Sequence, residues 1–186
     1  MAYFPIFFNL DDKRILVVGG GKIATEKLEK LVQFSKEITV IAKEVSKEAY
    51  DLIKSNCLTL YQRAYKLGDI EGFDIVIVAT DDISMQERIF NESRNKGILV
   101  NSVDNIKYCD FIFPSFIKKD KLVVAISTGG VSPAFAKHFK RRVQESIPNN
   151  VEDFLDKLKE IRETMPKGKE RMEFLDNLVE DYFKNN

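Results

Sequence analysis

The chain has 186 residues, 44% of them hydrophobic, with 29 lysines and arginines against 29 aspartates and glutamates. That is enough apolar sequence for one core and a smaller appendage, and a net charge of zero gives no global attraction to nucleic acid or a membrane surface, so neither is expected as a partner. Two distant cysteines, Cys57 and Cys109, and a single histidine argue against a disulfide framework or a zinc site and fit a reducing cytoplasm.

The opening MAYFPIFFNL is apolar, but it lacks a basic leader, contains Pro5 and runs at once into DDKR, so it reads as neither a signal peptide nor a membrane span. Five short runs rich in β-branched residues follow, at 15–18 (ILVV), 38–41 (ITVI), 58–61 (LTLY), 75–79 (IVIVA) and 98–100 (ILV). Their continuous apolar character predicts strands buried on both faces. Helices are predicted between them over 23–34, 46–56 and 84–96, the last with Met85, Ile89 and Phe90 at helical spacing. Strand alternating with helix implies an α/β fold on a parallel sheet with right-handed crossovers.

From about Phe113 the grammar changes. Residues 111–116 and 122–127 read as a hairpin around the charged turn KKDK at 118–121. TGGVSP then leads into a helix from Pro133 to about Ser146, with Ser132 as its cap and proline in its first turn. Phe135 and Phe139 are expected to bury one face of this helix, leaving Lys137, His138, Lys140, Arg141 and Arg142 on the remainder. Pro148, Asn149 and Asn150 break the chain. Two amphipathic helices follow, one lined by Val151, Phe154, Leu155, Leu158 and Ile161, the other by Met172, Leu175, Val179 and Tyr182, with PKGK between them.

The stretch ILVVGGGKIATEKLEKL carries the first chemical signal. A strand running through G-x-G-x-x-G into a helix binds dinucleotides because the first glycine makes a tight turn, the second admits the pyrophosphate to the backbone, and the third packs helix on strand. Gly19 and Gly21 fill the first two places and Ala24 the third, where a methyl is still small. The acid that usually holds the ribose at the end of the second strand is missing: Ala42 stands there, followed by Lys43 and Glu44. Lys43 can meet a 2′-phosphate, Glu44 can reach the ribose, or Lys43 is simply solvated, so the residues alone leave NAD and NADP open. After IVIVA, Thr80 and Asp81 are placed either to touch the cofactor or to cap the next helix.

NSVDNIKYCDFIFPS follows the last parallel strand, which presents Asp104 on the carboxyl side of the sheet as a proton acceptor, a group that holds a cationic nitrogen, or plain turn chemistry. Asp110 borders an apolar run and is the weaker candidate. TGGVSP and the basic helix after it form the one strong basic cluster, read either as a solvated face or as a site for an acidic substrate. His138 is by default a surface residue, with proton carrier or metal contact as its alternatives.

Three motifs stand in order: FPIFFNLDDKRILVVGGGKIATEK, NSVDNIKYCDFIFPS and ISTGGVSPAFAKHFKRR. Together they resemble the precorrin-2 dehydrogenase family, whose fold also forms the N-terminal half of multifunctional sirohaem synthases. The resemblance covers nearly the whole chain and weakens in the helical tail. It implies an NAD-binding Rossmann domain over 1–113, a dimerisation segment over 114–147 and a helical domain over 148–186, paired as a homodimer with active sites in the crevice between domains. It implies NAD as the hydride acceptor and precorrin-2, an acidic tetrapyrrole, as the substrate that is oxidised to sirohydrochlorin. By position, Gly21, Lys22 and Ile23 fall to the pyrophosphate turn, Lys43 and Glu44 to the ribose region, and Asp104 to the family's catalytic aspartate. Thr128 and Gly129 lie in the loop of the third motif, and Lys137, His138 and Arg141 on its helix suit a substrate rich in carboxylates.

Some members also insert ferrous iron, an activity left open here, with Asp104 and His138 as candidate proton acceptors. No dense ligand cluster suggests a resident metal. The methyltransferase segment of the multifunctional relatives is not expected in this chain, so precorrin-2 is expected from another protein. A non-catalytic NAD(H)-sensing module is the alternative, since it needs the glycine turn but neither the VD loop nor the basic helix.

Overall fold

A computed structural model of the chain describes residues 3–185, which form two compact units, Tyr3–Ile112 and the remainder from Phe113 onward. The ends of the expected domains at Met1, Ala2 and Asn186 lie outside the described residues.

In the first unit, β1 (Ile15–Val18), β2 (Ile38–Ile41), β3 (Thr59–Tyr61), β4 (Ile75–Val78) and β5 (Leu99–Ser102) make one parallel sheet in the order β3-β2-β1-β4-β5. Its register sets Val18 of β1 between Ile41 and Val78. All four residues of β1 and of β4 are buried, because helices cover both faces of a parallel sheet. Each such apolar side chain contributes about 1.5–3 kcal/mol of burial free energy.

The crossovers are α1 (Lys22–Leu31), α2 (Lys47–Ser55) and α3 (Ile83–Ser93). Ser46 caps α2 by accepting from Ala49 N, and Asp82 caps α3 by accepting from Met85 N. α1 stops at Leu31, three residues short of the expected Phe34, in a short run of turns that closes on Leu28, Lys30 and Leu31 carbonyls. Between β3 and β4 the chain crosses without a helix. That passage is tied by the two-pronged Arg63–Asp69 pair at 2.6 and 2.9 Å, and by Glu92 of α3, which accepts from Tyr65 Oη at 2.6 Å and Gly68 N at 2.7 Å.

In the second unit, β6 (Ser115–Lys119) and β7 (Leu122–Ile126) pair antiparallel, followed by α4 (Pro133–Glu145), α5 (Val151–Thr164) and α6 (Lys169–Lys184). β6 begins at Ser115 and not at Phe111, since Phe111 O is drawn off to Asn101 Nδ2 and Pro114 has no N–H to give a ladder. The pairing continues through Lys118 and Lys119, so the turn shortens to Asp120 and Lys121. Lys121 also forms ion pairs with Asp120 and with Asp156 of α5. Tyr182 of α6 stacks on Phe154 of α5 at 3.8 Å and donates to Asn150 Oδ1 at 2.9 Å. Met172, expected on the packed face of α6, is instead 71% exposed.

Candidate functional site

β1 and β4 are adjacent, yet the chain leaves them on opposite sides of the sheet, so a crevice opens at their carboxyl ends. Three consecutive glycines line it, and each does something different. Gly19 has φ +123° and donates to Ile41 O at 2.9 Å; a Cβ on it would stand 2.1 Å from Ala79 O. Gly20 is wedged against the loop after β2, where a Cβ would meet Glu44 O at 2.5 Å, and its carbonyl accepts from Ser46 N at 2.8 Å. At Gly21 a Cβ would meet nothing within 4 Å.

Gly21 is also the N-cap of α1, with no side-chain cap bond and no acidic residue in the first turn. The helix therefore presents bare first-turn N–H groups and an uncompensated positive dipole end to the open side. Lys22 is exposed there, Ile23 half-buried and Ala24 fully buried, its methyl filling the place of the third glycine. Thr25 secures the turn by donating from Oγ1 to Gly21 O at 3.1 Å. An approachable backbone, a helix N-terminus and no competing carboxylate are what a dinucleotide pyrophosphate requires, and this turn fits one.

After β2, Ala42 is buried while Lys43 and Glu44 are exposed side by side. Across the crevice, the Ser84 hydroxyl and Met85 N–H hold the Asp82 carboxyl below the usual range, and the Lys43 charge adds to this. Asp82 is the cap of α3, one residue beyond the expected Thr80 and Asp81. Thr80 Oγ1 accepts from Asp82 N at 3.3 Å, and Asp81 is exposed.

Asp104 is exposed in the turn after β5 with φ +58°, a left-handed conformation that aspartate tolerates better than most side chains. Side chains absent from the sequence expectations mount this turn. Gln86 of α3, 3% exposed, donates from Nε2 to Thr80 O at 2.8 Å and to Val103 O at 3.3 Å. The Cys109 thiol accepts from Ser102 N at 3.2 Å and lies 3.0 Å from Ser102 O and 3.3 Å from Asn105 O, bracketing Asp104 on both sides. On α1, burial and the Lys30 charge lower the Lys27 ammonium, against the opposing pull of Asp104 and Cys109. No sequence period marks Gln86 or Cys109; only their tertiary partners do.

Asp110 is a structural group. Its carboxylate accepts from both terminal nitrogens of Arg94, at 2.8 and 2.7 Å, and from Val100 N at 2.8 Å. Burial would raise it, but the Arg94 fork and the Val100 N–H outweigh this and hold it below the usual carboxylate range.

In the second unit, Gly129 and Gly130 take positive φ and fold TGGV into a tight turn. Thr128 Oγ1 closes it, accepting from Ser132 N at 3.0 Å and donating to Ser132 O at 3.3 Å, so this hydroxyl is already employed within the loop. Lys137, His138 and Arg141 are exposed on α4, and Arg141 donates to His138 Nδ1 at 3.1 Å. Phe135 and Phe139, expected to be buried, stack on each other at 5.8 Å while remaining 60% and 45% exposed. The buried face of α4 belongs to Ala136, on a helix that packs against β6.

Tyr50 and Lys54 have the Tyr-x-x-x-Lys spacing of many carbonyl oxidoreductases, and they sit on α2, in the β2–β3 crossover. A hollow lined by Arg14, Asp74 and Lys96 lies at the opposite, amino-terminal edge of the sheet. Among the described residues no group of three or more His, Cys, Asp or Glu could hold a metal, and no helix is long and apolar enough to cross a membrane.

A family model described as "Putative NAD(P)-binding" matches residues 6–115. The siroheme synthase of Methylococcus capsulatus is 34% identical over 184 residues, 97% of this chain and 39% of the relative. That of Pseudoalteromonas atlantica is 36% identical over 151 residues, 81% of this chain and 33% of the relative. The chain thus spans well under half the length of these relatives. Among solved structures, one described as SirC, precorrin-2 dehydrogenase, superposes with a TM-score of 0.81 at 26% identity, covering 96% of this chain and 90% of that one.

Proposed function

The chain belongs to the precorrin-2 dehydrogenase family, on an NAD(P)-binding fold, and from that premise we propose that it oxidises precorrin-2 to sirohydrochlorin with NAD as acceptor. The observation that carries the reading is the pairing, at one edge of one sheet, of an open glycine turn at Gly21 with an exposed carboxylate at Asp104.

A nicotinamide supplies a two-electron hydride acceptor when bound. The chain's own part is to hold it and to handle the proton. Gly19 and Gly20 shape the turn, and Gly21, Lys22, Ile23 and Ala24 present the N-terminus of α1 to the pyrophosphate. Lys43 and Glu44 flank the adenosine ribose, and Thr80 and Asp81 border the crevice at the end of β4. Lys43 stands next to the exposed Glu44, and its charge is felt by the Asp82 carboxyl, so this end lacks the concentrated positive charge that a 2′-phosphate requires, which favours NAD over NADP.

Dehydrogenation removes one hydride and one proton from the macrocycle. Asp104 takes the proton or orients the macrocycle for its loss to water. Lys137, His138 and Arg141 meet substrate carboxylates, and Gly129 leaves the loop before α4 open to them, with nothing within 4 Å of a Cβ placed on it. The exposed Phe135 and Phe139, with Val131 87% exposed beside them in sequence, are the surface on which two copies pair as a homodimer. We propose the cytoplasm as its setting, a reading supported by the two free cysteines, Cys57 and Cys109.

The test is to mix the purified chain with precorrin-2 and either NAD or NADP and to follow sirohydrochlorin and reduced nicotinamide by absorbance. Stoichiometric formation of both with NAD is expected. NAD binding without turnover would overturn the reading in favour of a nucleotide sensor. Adding ferrous iron to sirohydrochlorin without NAD assays metal insertion separately.

A further inference from the structure

Gln86 is the most deeply buried polar side chain that touches both loops at the working edge of the sheet. Its Nε2 spans from Thr80 O, just past β4, to Val103 O, the residue before Asp104. With two carbonyl acceptors on one side, the amide orientation is assigned without ambiguity: the NH2 group faces the loops. Its Oε1 is then left buried with no partner among the described residues. An uncompensated buried acceptor opposes folding, while the two bonds from Nε2 favour it and join the loops on either side.

We infer that Gln86 positions Asp104, by clamping the turn that carries it to the loop after β4 so that the carboxylate is held at one distance from the cofactor side. The inference rests on the reading of Asp104 as the proton-handling group in the preceding section. Gln86 is a positioning residue and touches neither substrate nor cofactor. Asp104 has φ +58° and Val103 N is bound to Val78 O at 3.0 Å, so the turn pivots immediately beyond the last sheet bond; the Gln86 clamp on Val103 O and the Cys109 thiol are what hold that pivot.

The variant Gln86→Met keeps the length and volume of the side chain, removes both clamp bonds, and removes the unpartnered Oε1. The expected outcome in the full chain is a Tm lowered by no more than a few degrees, because losing the unpartnered Oε1 offsets only part of the cost of leaving the Thr80 and Val103 carbonyls without a donor, with NAD affinity within about twofold and kcat lowered about tenfold or more. Amide hydrogen exchange over residues 103–108 should quicken by about tenfold or more while the sheet is unaffected. Placed on Asp104→Asn, the Gln86→Met change should cost no further turnover, because the group through which it acts has already gone.

Unaltered exchange over 103–108 would overturn the clamp whatever the activity. So would a kcat loss that multiplies fully with that of Asp104→Asn, or one that merely follows a fall in Tm. Should the methionine variant fail to fold, Gln86→Leu is read in the same way, since its side chain has no donor for the two carbonyls. A wild-type chain that binds NAD but leaves precorrin-2 unchanged would refute the dehydrogenase reading instead, and the exchange measurement would still decide on the clamp.

Discussion

Gly19 and Ala79 touch so closely that the space between the ends of β1 and β4 has no room for a single methyl: a Cβ on Gly19 would stand 2.1 Å from Ala79 O. Gly19→Ala therefore meets both a backbone clash and a left-handed φ of +123°. A loss of about 3 kcal/mol or more is expected, or roughly 10 °C in Tm by thermal melting. Gly21→Ala is the contrasting case, with φ −85° and open space around its Cβ. Its Tm should stay within about 2 °C, while NAD affinity, measured by titration, falls about tenfold or more as the methyl occupies the pyrophosphate's approach.

Asp104→Asn separates charge from conformation, because asparagine also accepts a left-handed turn. Unchanged stability and a turnover lowered by about 100-fold or more are expected in the precorrin-2 assay. Near-normal turnover would remove Asp104 from the chemistry.

The Arg94–Asp110 pair yields a stability prediction with a definite pH sign. Asp110 titrates below the unfolded carboxylate, so its contribution is present at neutral pH and is lost as pH falls through its lowered folded value. Asp110→Asn should cost about 1–2 kcal/mol at pH 7, allowing for partial solvent exposure, and the difference from wild type should shrink steadily below about pH 4 in denaturant melts.

On α4, reversing charge at Arg141 with Glu should raise the KM for precorrin-2 about tenfold or more and leave the KM for NAD unchanged. Raising the salt concentration should narrow the gap between variant and wild type, as screening weakens attraction to the substrate's carboxylates. An equal rise in both KM values would refute a substrate role for this face.

The inner sheet is legible in the sequence because β1 and β4 are buried on both faces, and a run such as ILVV or IVIV has no other economical fate beside a glycine turn, whereas β3, expected to be buried alike, lies at the sheet edge and exposes Thr59 and Tyr61. Helix ends were also readable at Ser132 and Pro133, where a hydroxyl caps and proline fits the first turn. Less was visible where partners come from elsewhere in the chain. Gly20 looks dispensable beside a two-glycine fingerprint until the Glu44 loop is seen resting on it. Phe135 and Phe139 have helical spacing, which identifies a common face but not whether this chain covers it. Gln86, between Met85 and Glu87, has the composition of a solvated helix position, and its clamp exists only because β4 and β5 end at the same level.

The two cysteines end up in opposite chemical situations. Burial pushes the Cys109 thiol up, against the Ser102 N–H and the Lys27 charge, and its sulfur is occupied by the backbone on either side of Asp104. Cys57 is exposed, at the left-handed end of α2 on the far half of the sheet. A maleimide dye at neutral pH should thus attach to Cys57 alone and spare turnover, as peptide mapping and assay of the labelled chain would show. This chain then comes with a single built-in handle for a fluorophore, and loosening of the Asp104 turn would announce itself as a second site of labelling.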